Sequence, residues 1–146
     1  MSHVAKFQTA VVDLEALKRA LIRMGIKPSQ IEIHNQAIQA HGFHENETFM
    51  ANLIVRRTQD FGSDIGWERT KEGQYAAHLD DFNYNGIQHY DTDWQTRLYT
   101  LYNVEKSKIE LESRNIEYEE TKDERGRYQI RARFQLDRGS RIRTGR

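Results

Sequence analysis

Two stretches of the chain gather side chains that bind metals or move protons. The first, His41-Gly42-Phe43-His44-Glu45-Asn46-Glu47, sets two imidazoles three residues apart beside two carboxylates, a donor set that suits a divalent cation. Three-residue spacing aligns both rings only on a helix, whereas Gly42 and the extended runs on either side predict a loop. A solvated turn is the simpler expectation there. The second is denser, with His78, Asp80, Asp81, His89, Asp91 and Asp93 inside sixteen residues. If that loop folds back, His78, Asp80, Asp81 and His89 form a hard-cation or metal-hydrolase site. Each also has an ordinary role. His78 has the polar parity opposite Tyr75, Ala77 and Leu79 and is expected to face solvent. Asp80 and Asp81 end a strand, and Asp91 and Asp93 sit at a predicted helix N-terminus, where negative charge is favoured. A metal-dependent enzyme or metal-binding protein is therefore an alternative reading. No catalytic residue is nominated and no cofactor is expected.

Other chemistries are narrowed by composition. The chain has no Cys, which removes thiolate ligands, disulfides and cysteine nucleophiles together. Gly62-Ser63-Asp64-Ile65-Gly66 lacks the strand-to-helix setting of a phosphate cradle. Lys plus Arg balances Asp plus Glu, 22 against 22, so no net field draws the chain to nucleic acid or an acidic membrane. The C-terminal quarter is locally basic, through Arg131, Arg133, Arg138, Arg141, Arg143 and Arg146. In a hairpin that keeps Ile116 and Tyr118 beside Ile130, Glu117 and Glu119 fall among those arginines and neutralise them. The tail alone then supports weak, salt-sensitive nucleic-acid binding, a second alternative.

The elements that must position these residues are legible from periodicity. Residues 4–12 alternate as a strand. Asp13 then caps a helix whose Leu14, Leu17, Leu21 and Met24 share one stripe, with Gly25 and Pro28 ending it. Residues 31–41 read as two short extended pieces hinged near Asn35. Residues 49–57 read as the central strand, with Phe49, Ala51, Leu53 and Val55 on one face. A hairpin follows, residues 65–69 and 74–79 around Thr70-Lys71-Glu72-Gly73. Residues 80–91 form a long surface loop. Thr92 and Gln95 have capping-box spacing and open a second helix, residues 93–114, with Trp94, Leu98, Leu101, Tyr102 and Ile109 inward. Residues 116–118 and 128–136 make the last hairpin, with Tyr128, Ile130, Ala132, Phe134 and Leu136 on its core face.

Met1-Ser2-His3, the first strand feeding Asp13-Leu14-Glu15-Ala16-Leu17, Asp64-Ile65-Gly66-Trp67, Gly73-Gln74-Tyr75, the helix bearing Tyr99 and Tyr102, and the charged hairpin around 131–134 occur in one order. That order resembles a small family of conserved hypothetical chloroplast reading-frame proteins (frame thirty-five) of plastids and cyanobacteria. The resemblance covers most of the chain and departs most over residues 29–47. It implies a photosynthetic host or its phage and supplies a fold expectation, but no catalytic residues.

The expected fold is α+β: a single-layer antiparallel sheet with two helices packed on one face, in the order β-α-β-β-β-β-α-β-β, loosely ferredoxin-like. Residues 1–137 form one domain and 138–146 a basic flexible tail. No apolar run approaches a membrane span, so a cytoplasmic or plastid-stromal protein is expected. The leading function is a small non-catalytic accessory module with a protein partner. Trp67, Tyr84 and Tyr90, aromatics in or near loops, are its candidate contact residues.

Overall fold

The computed structural model describes residues 4–42, 46–57, 62–80, 90 and 92–134, with residue 80 described by its backbone alone. The elements run β1 (Val4–Gln8), α1 (Leu14–Arg23), a 3-10 turn (Pro28–Gln30), β2 (Ile31–His41), β3 (Thr48–Val55), β4 (Ile65–Arg69), β5 (Tyr75–Asp80), α2 (Thr92–Ser113), β6 (Glu117–Lys122) and β7 (Tyr128–Arg133). The class is α+β, in the order read from the sequence. Among the described residues, five strands make an antiparallel sheet ordered β1-β5-β4-β3-β2, and β6 pairs with β7 in a two-stranded sheet. The likeness to a ferredoxin-like layout is confined to the order of elements, since β1 and β2 lie at opposite edges of the larger sheet. Two compact units result, Met1–Tyr102 and Asn103–Arg146, and the division falls inside α2.

Local chemistry sets the ends of α1. Asp13 accepts hydrogen bonds from the Glu15 and Ala16 N–H groups, at 2.9 and 3.2 Å, which satisfies two donors that the first turn leaves open. At the other end Gly25 has φ +101°. The Gly25 N–H donates to Ile22 O and the Ile26 N–H to Leu21 O, the double closure that a left-handed residue after a helix permits. Helix α1 buries Ala16, Leu17, Ala20 and Leu21. The first half of α2 buries Trp94, Leu98, Leu101 and Tyr102. These stripes cover the sheet face that carries Leu53, Trp67 and Ala77, which sit side by side in register. The Tyr102 hydroxyl accepts from the Val12 and Asp13 N–H groups and so joins α2 to the start of α1.

Several boundaries and faces differ from expectation. Strand β1 stops at Gln8 because Thr9 turns away, its hydroxyl bonding the Tyr75 carbonyl and accepting from Val11 N–H. Gln95 donates to the Tyr90 carbonyl at 3.1 Å instead of closing a box with Thr92. Strand β7 ends at Arg133, and Phe134 is 69% exposed, not core. The alternation of β3 breaks at Asn52. Leu53 lies beside Trp67, whereas Phe49 and Ala51 cluster with Ile54 on the opposite face.

In the second unit, β6 and β7 pair in the register Glu117↔Arg133 and Glu119↔Arg131. Glu119 bridges both arginines, at 3.5 and 3.0 Å, which is the cross-strand neutralisation expected from the sequence. The distal part of α2 is tied to the hairpin by Lys108, whose ammonium reaches Glu105 and Glu120, each at 3.1 Å.

Candidate functional site

The face of the sheet turned away from the helices carries the chemistry-bearing residues. The register Lys6↔His78↔Gly66↔Ile54↔Glu32 defines one row across all five strands. Charged residues occupy both ends of this row, with a histidine, a glycine and an isoleucine between them.

Strand β2 and the segment after β3 build the first cluster. The Arg56 guanidinium grips Glu32 through two hydrogen bonds, at 2.8 and 3.0 Å, the forked geometry that makes such pairs strong. His34 Nε2 lies 2.9 Å from Glu32 Oε1. The Arg56 bonds, and then His34, draw the Glu32 carboxyl down to about 2 against the opposing effect of burial, so it is an ionised anchor at any physiological pH. Arg56 Nη1 also donates to Asp64, a nearly fully buried carboxylate that accepts from the His41 and Arg57 N–H groups at 3.0 and 2.8 Å. A buried carboxylate needs that many donors, because an unpaired charge there costs several kcal/mol (about the penalty of lost hydration).

The second cluster is built by β1, β4 and β5. His78 Nε2 lies 3.0 Å from Glu68 Oε1. The imidazole stacks on the Phe49 ring, with centroids 4.8 Å apart and planes inclined by 16°. Burial pushes the imidazole below its ordinary range; Glu68 opposes this and Lys6 adds to it. A His–carboxylate pair is the stem of a general-base device, but the stacked ring gives His78 a packing role.

Phe49 reaches His78 because the distal half of the β2–β3 hairpin folds back across this face. Strand β2 shifts register against β3 between Ile33 and Ile38. At the break Asn52 replaces lost ladder bonds: its amide donates to the His34 and Asn35 carbonyls, each at 3.2 Å, and its carbonyl accepts from Arg69 N–H at 2.9 Å. Beyond it Ala40, Phe49, Ala51 and Ile54 form a small apolar cluster joined by Val4 and Ile38. Gly66 makes the approach possible, since a Cβ there would stand 2.6 Å from Ala51 Cβ and 2.9 Å from Phe49 Cε2. At the hairpin tip Asp64 N–H donates to the His41 carbonyl, and Val4 N–H donates to Glu47 Oε2 at 2.7 Å.

Trp67 is fully buried on the opposite, helix-covered face, its indole N–H donating to the Tyr99 hydroxyl at 3.2 Å. That burial corrects the expectation of an exposed contact residue: a strand in the middle of the sheet presents its large aromatic to the helices. Tyr90 is half-buried, edge-on to the Trp94 ring at 4.6 Å, and Tyr84 lies outside the described residues. His78 is buried, contrary to its expected solvent-facing position, because the folded-back hairpin covers what parity alone reads as an open face. Asp80 ends β5 opposite Val4, while Asp81 and His89, like His44 and Glu45, lie outside the described residues. Among the described residues no group of three or more ligating side chains is assembled for a metal. Arg131 and Arg133 stand on the exposed face of β7, both paired with Glu119; Arg138, Arg141 and Arg143 lie outside the described residues.

Sequence reasoning missed Glu32, Asn52, Asp64 and Glu68. One signal did point to the fold-back. A glycine inside a strand pattern, here Gly66, marks a close approach of other chain. Among the described residues, no helix is long and apolar enough to cross a membrane. Compared with known proteins, the chain matches no family model, no curated protein and no solved structure.

Proposed function

We propose that this chain is a small non-catalytic accessory module that works by binding a protein partner. The observation that carries the reading is a contrast on the β2–β3 pair. Glu32 and His34 of β2 are engaged with one another and, through Arg56, with Asp64, while Ile33 and Met50 are left 43% and 44% exposed. The ion pairs hold the proximal end of the pair in shape, and exposed apolar side chains are the raw material of a protein interface. The photosynthetic setting rests on the family resemblance alone.

Capture of the tagged chain from a photosynthetic cell lysate, divided into arms with and without nuclease, tests the proposal. A stoichiometric protein that survives nuclease supports it. Recovery of the chain alone in both arms contradicts it, and partners that vanish with nuclease transfer the function to the arginine-rich C-terminus.

A further inference from the structure

We propose that the distal half of the β2–β3 hairpin, residues 38–41 and 48–51, is a lid over the His78–Glu68 pair that opens as a unit about Asn52 while the rest of the sheet stays folded. The inference does not rest on the partner-binding reading, although Met50 of that reading lies on the lid. Three features of the hairpin carry it.

The first is a hinge. The ladder between β2 and β3 is interrupted between Ile33 and Ile38, and a side chain, that of Asn52, bridges the gap to the His34 and Asn35 carbonyls. Side-chain bridges leave the backbone on either side free to swing in a way that a continuous ladder does not.

The second is the small size of the closed contact. The lid is seated by the cluster of Ala40, Phe49, Ala51 and Ile54, with Val4 and the lid's own Ile38 packed against it. Phe49 and Ile38 are the large side chains the lid contributes to it. The opposite face holds Leu17, Leu21, Leu53, Trp67, Leu79 and Leu98, all fully buried. Apolar area sets the cost of exposure, so the lid separates at a smaller free energy than the helix-covered core. Such a gradient within one fold is what yields local opening units.

The third is that its closure is completed by a few latches at one end. These are the paired bonds between His41 and Asp64 and the bond from Val4 N–H to Glu47. Releasing them uncovers His78, which is buried under the Phe49 ring, beside the half-buried Glu68 and the already exposed Lys6. The same motion exposes a reactive imidazole and an apolar patch that are hidden in the closed form.

Native-state hydrogen exchange on the full chain, read peptide by peptide, tests the lid directly. The expected result is that amides of residues 38–41 and 48–51 share one protection factor, lower than that of β4 and β5 by about tenfold or more. Carbethoxylation of His78 by diethyl pyrocarbonate should proceed at the rate set by that opening. Gly66→Ala supplies a second arm, because its Cβ meets Ala51 and Phe49. In this variant, lid exchange and His78 modification should rise together while Trp67 fluorescence stays unchanged. Equal protection of lid and core strands in the natural chain overturns the proposal, even if Gly66→Ala fails to fold. So does a rise in Gly66→Ala that is uniform across β4, β5 and the lid.

Discussion

His78 and Glu32 face opposite ways in proton linkage, and each gives a prediction. The folded pKa of His78 is depressed, chiefly by burial, so the unfolded chain takes up the proton first. Its contribution is fully present above the ordinary histidine value of about 6.5 and is lost as pH falls below it. Denaturant midpoints measured between pH 7.5 and 5.5 should therefore fall with acidification, and His78→Phe should flatten that slope. Glu32 is depressed as an acid, by Arg56 first and His34 second. Its stabilisation is complete above its unfolded value and is lost as pH drops towards about 2. Glu32→Gln should remove that part of the acid-unfolding curve and leave the neutral-pH fold intact. Neither residue's environment was legible in the sequence. His78 was read by parity as exposed, and parity describes one sheet, not what another segment lays over it. Glu32 pairs with a residue 24 positions away, and a single sequence holds no record of such a pairing.

At the scale of elements the local rules were enough for α1. Asp13 and Gly25 fixed both its ends, because a cap and a left-handed stop act within a few residues. Of the expected stripe Leu17 and Leu21 are buried, whereas Leu14 and Met24 are half-buried and Ala16 and Ala20 take their place. Asp13→Ala should cost about 1 kcal/mol, measurable as a shift in the urea midpoint. The β4–β5 hairpin was equally legible through its four-residue turn, closed by Thr70 N–H to Gln74 O and by Gly73 at φ +88°. In the β2–β3 pair both strands and the break near Asn35 were legible, but the fold-back was not, because it depends on a polar side chain standing in for backbone. Asn52→Ala should leave the His34 and Asn35 carbonyls and the Arg69 N–H without their partner. With Asn52 only 6% exposed, a loss of about 2 kcal/mol is expected from groups so stranded. Asn52→Asp keeps an acceptor for Arg69 N–H and removes both donors, so equilibrium unfolding of the two variants separates the contributions.

At the scale of the whole molecule, the α+β class and the order of the elements among the described residues match the sequence reading, and the chain forms two compact units. Helix α2 is one continuous pattern in the sequence, and the boundary inside it reflects long-range contacts that periodicity does not encode. In the second unit polar contacts are prominent. Burial lowers the Lys108 pKa, but the hydrogen bonds to Glu105 and Glu120 outweigh it and raise the value overall, so the ammonium persists as a clamp. Lys108→Met should reduce hydrogen-exchange protection in β6 and β7 by roughly tenfold, the equivalent of about 1.4 kcal/mol. The central claim is that the molecule acts by binding a protein through apolar side chains of its β2–β3 pair. Its most direct test is quantitative capture by the natural chain and by an Ile33→Lys/Met50→Lys double variant whose circular dichroism matches it. The account predicts a nuclease-resistant protein held stoichiometrically by the natural chain and lost from the variant. Equal capture by both, or capture by neither, would contradict it.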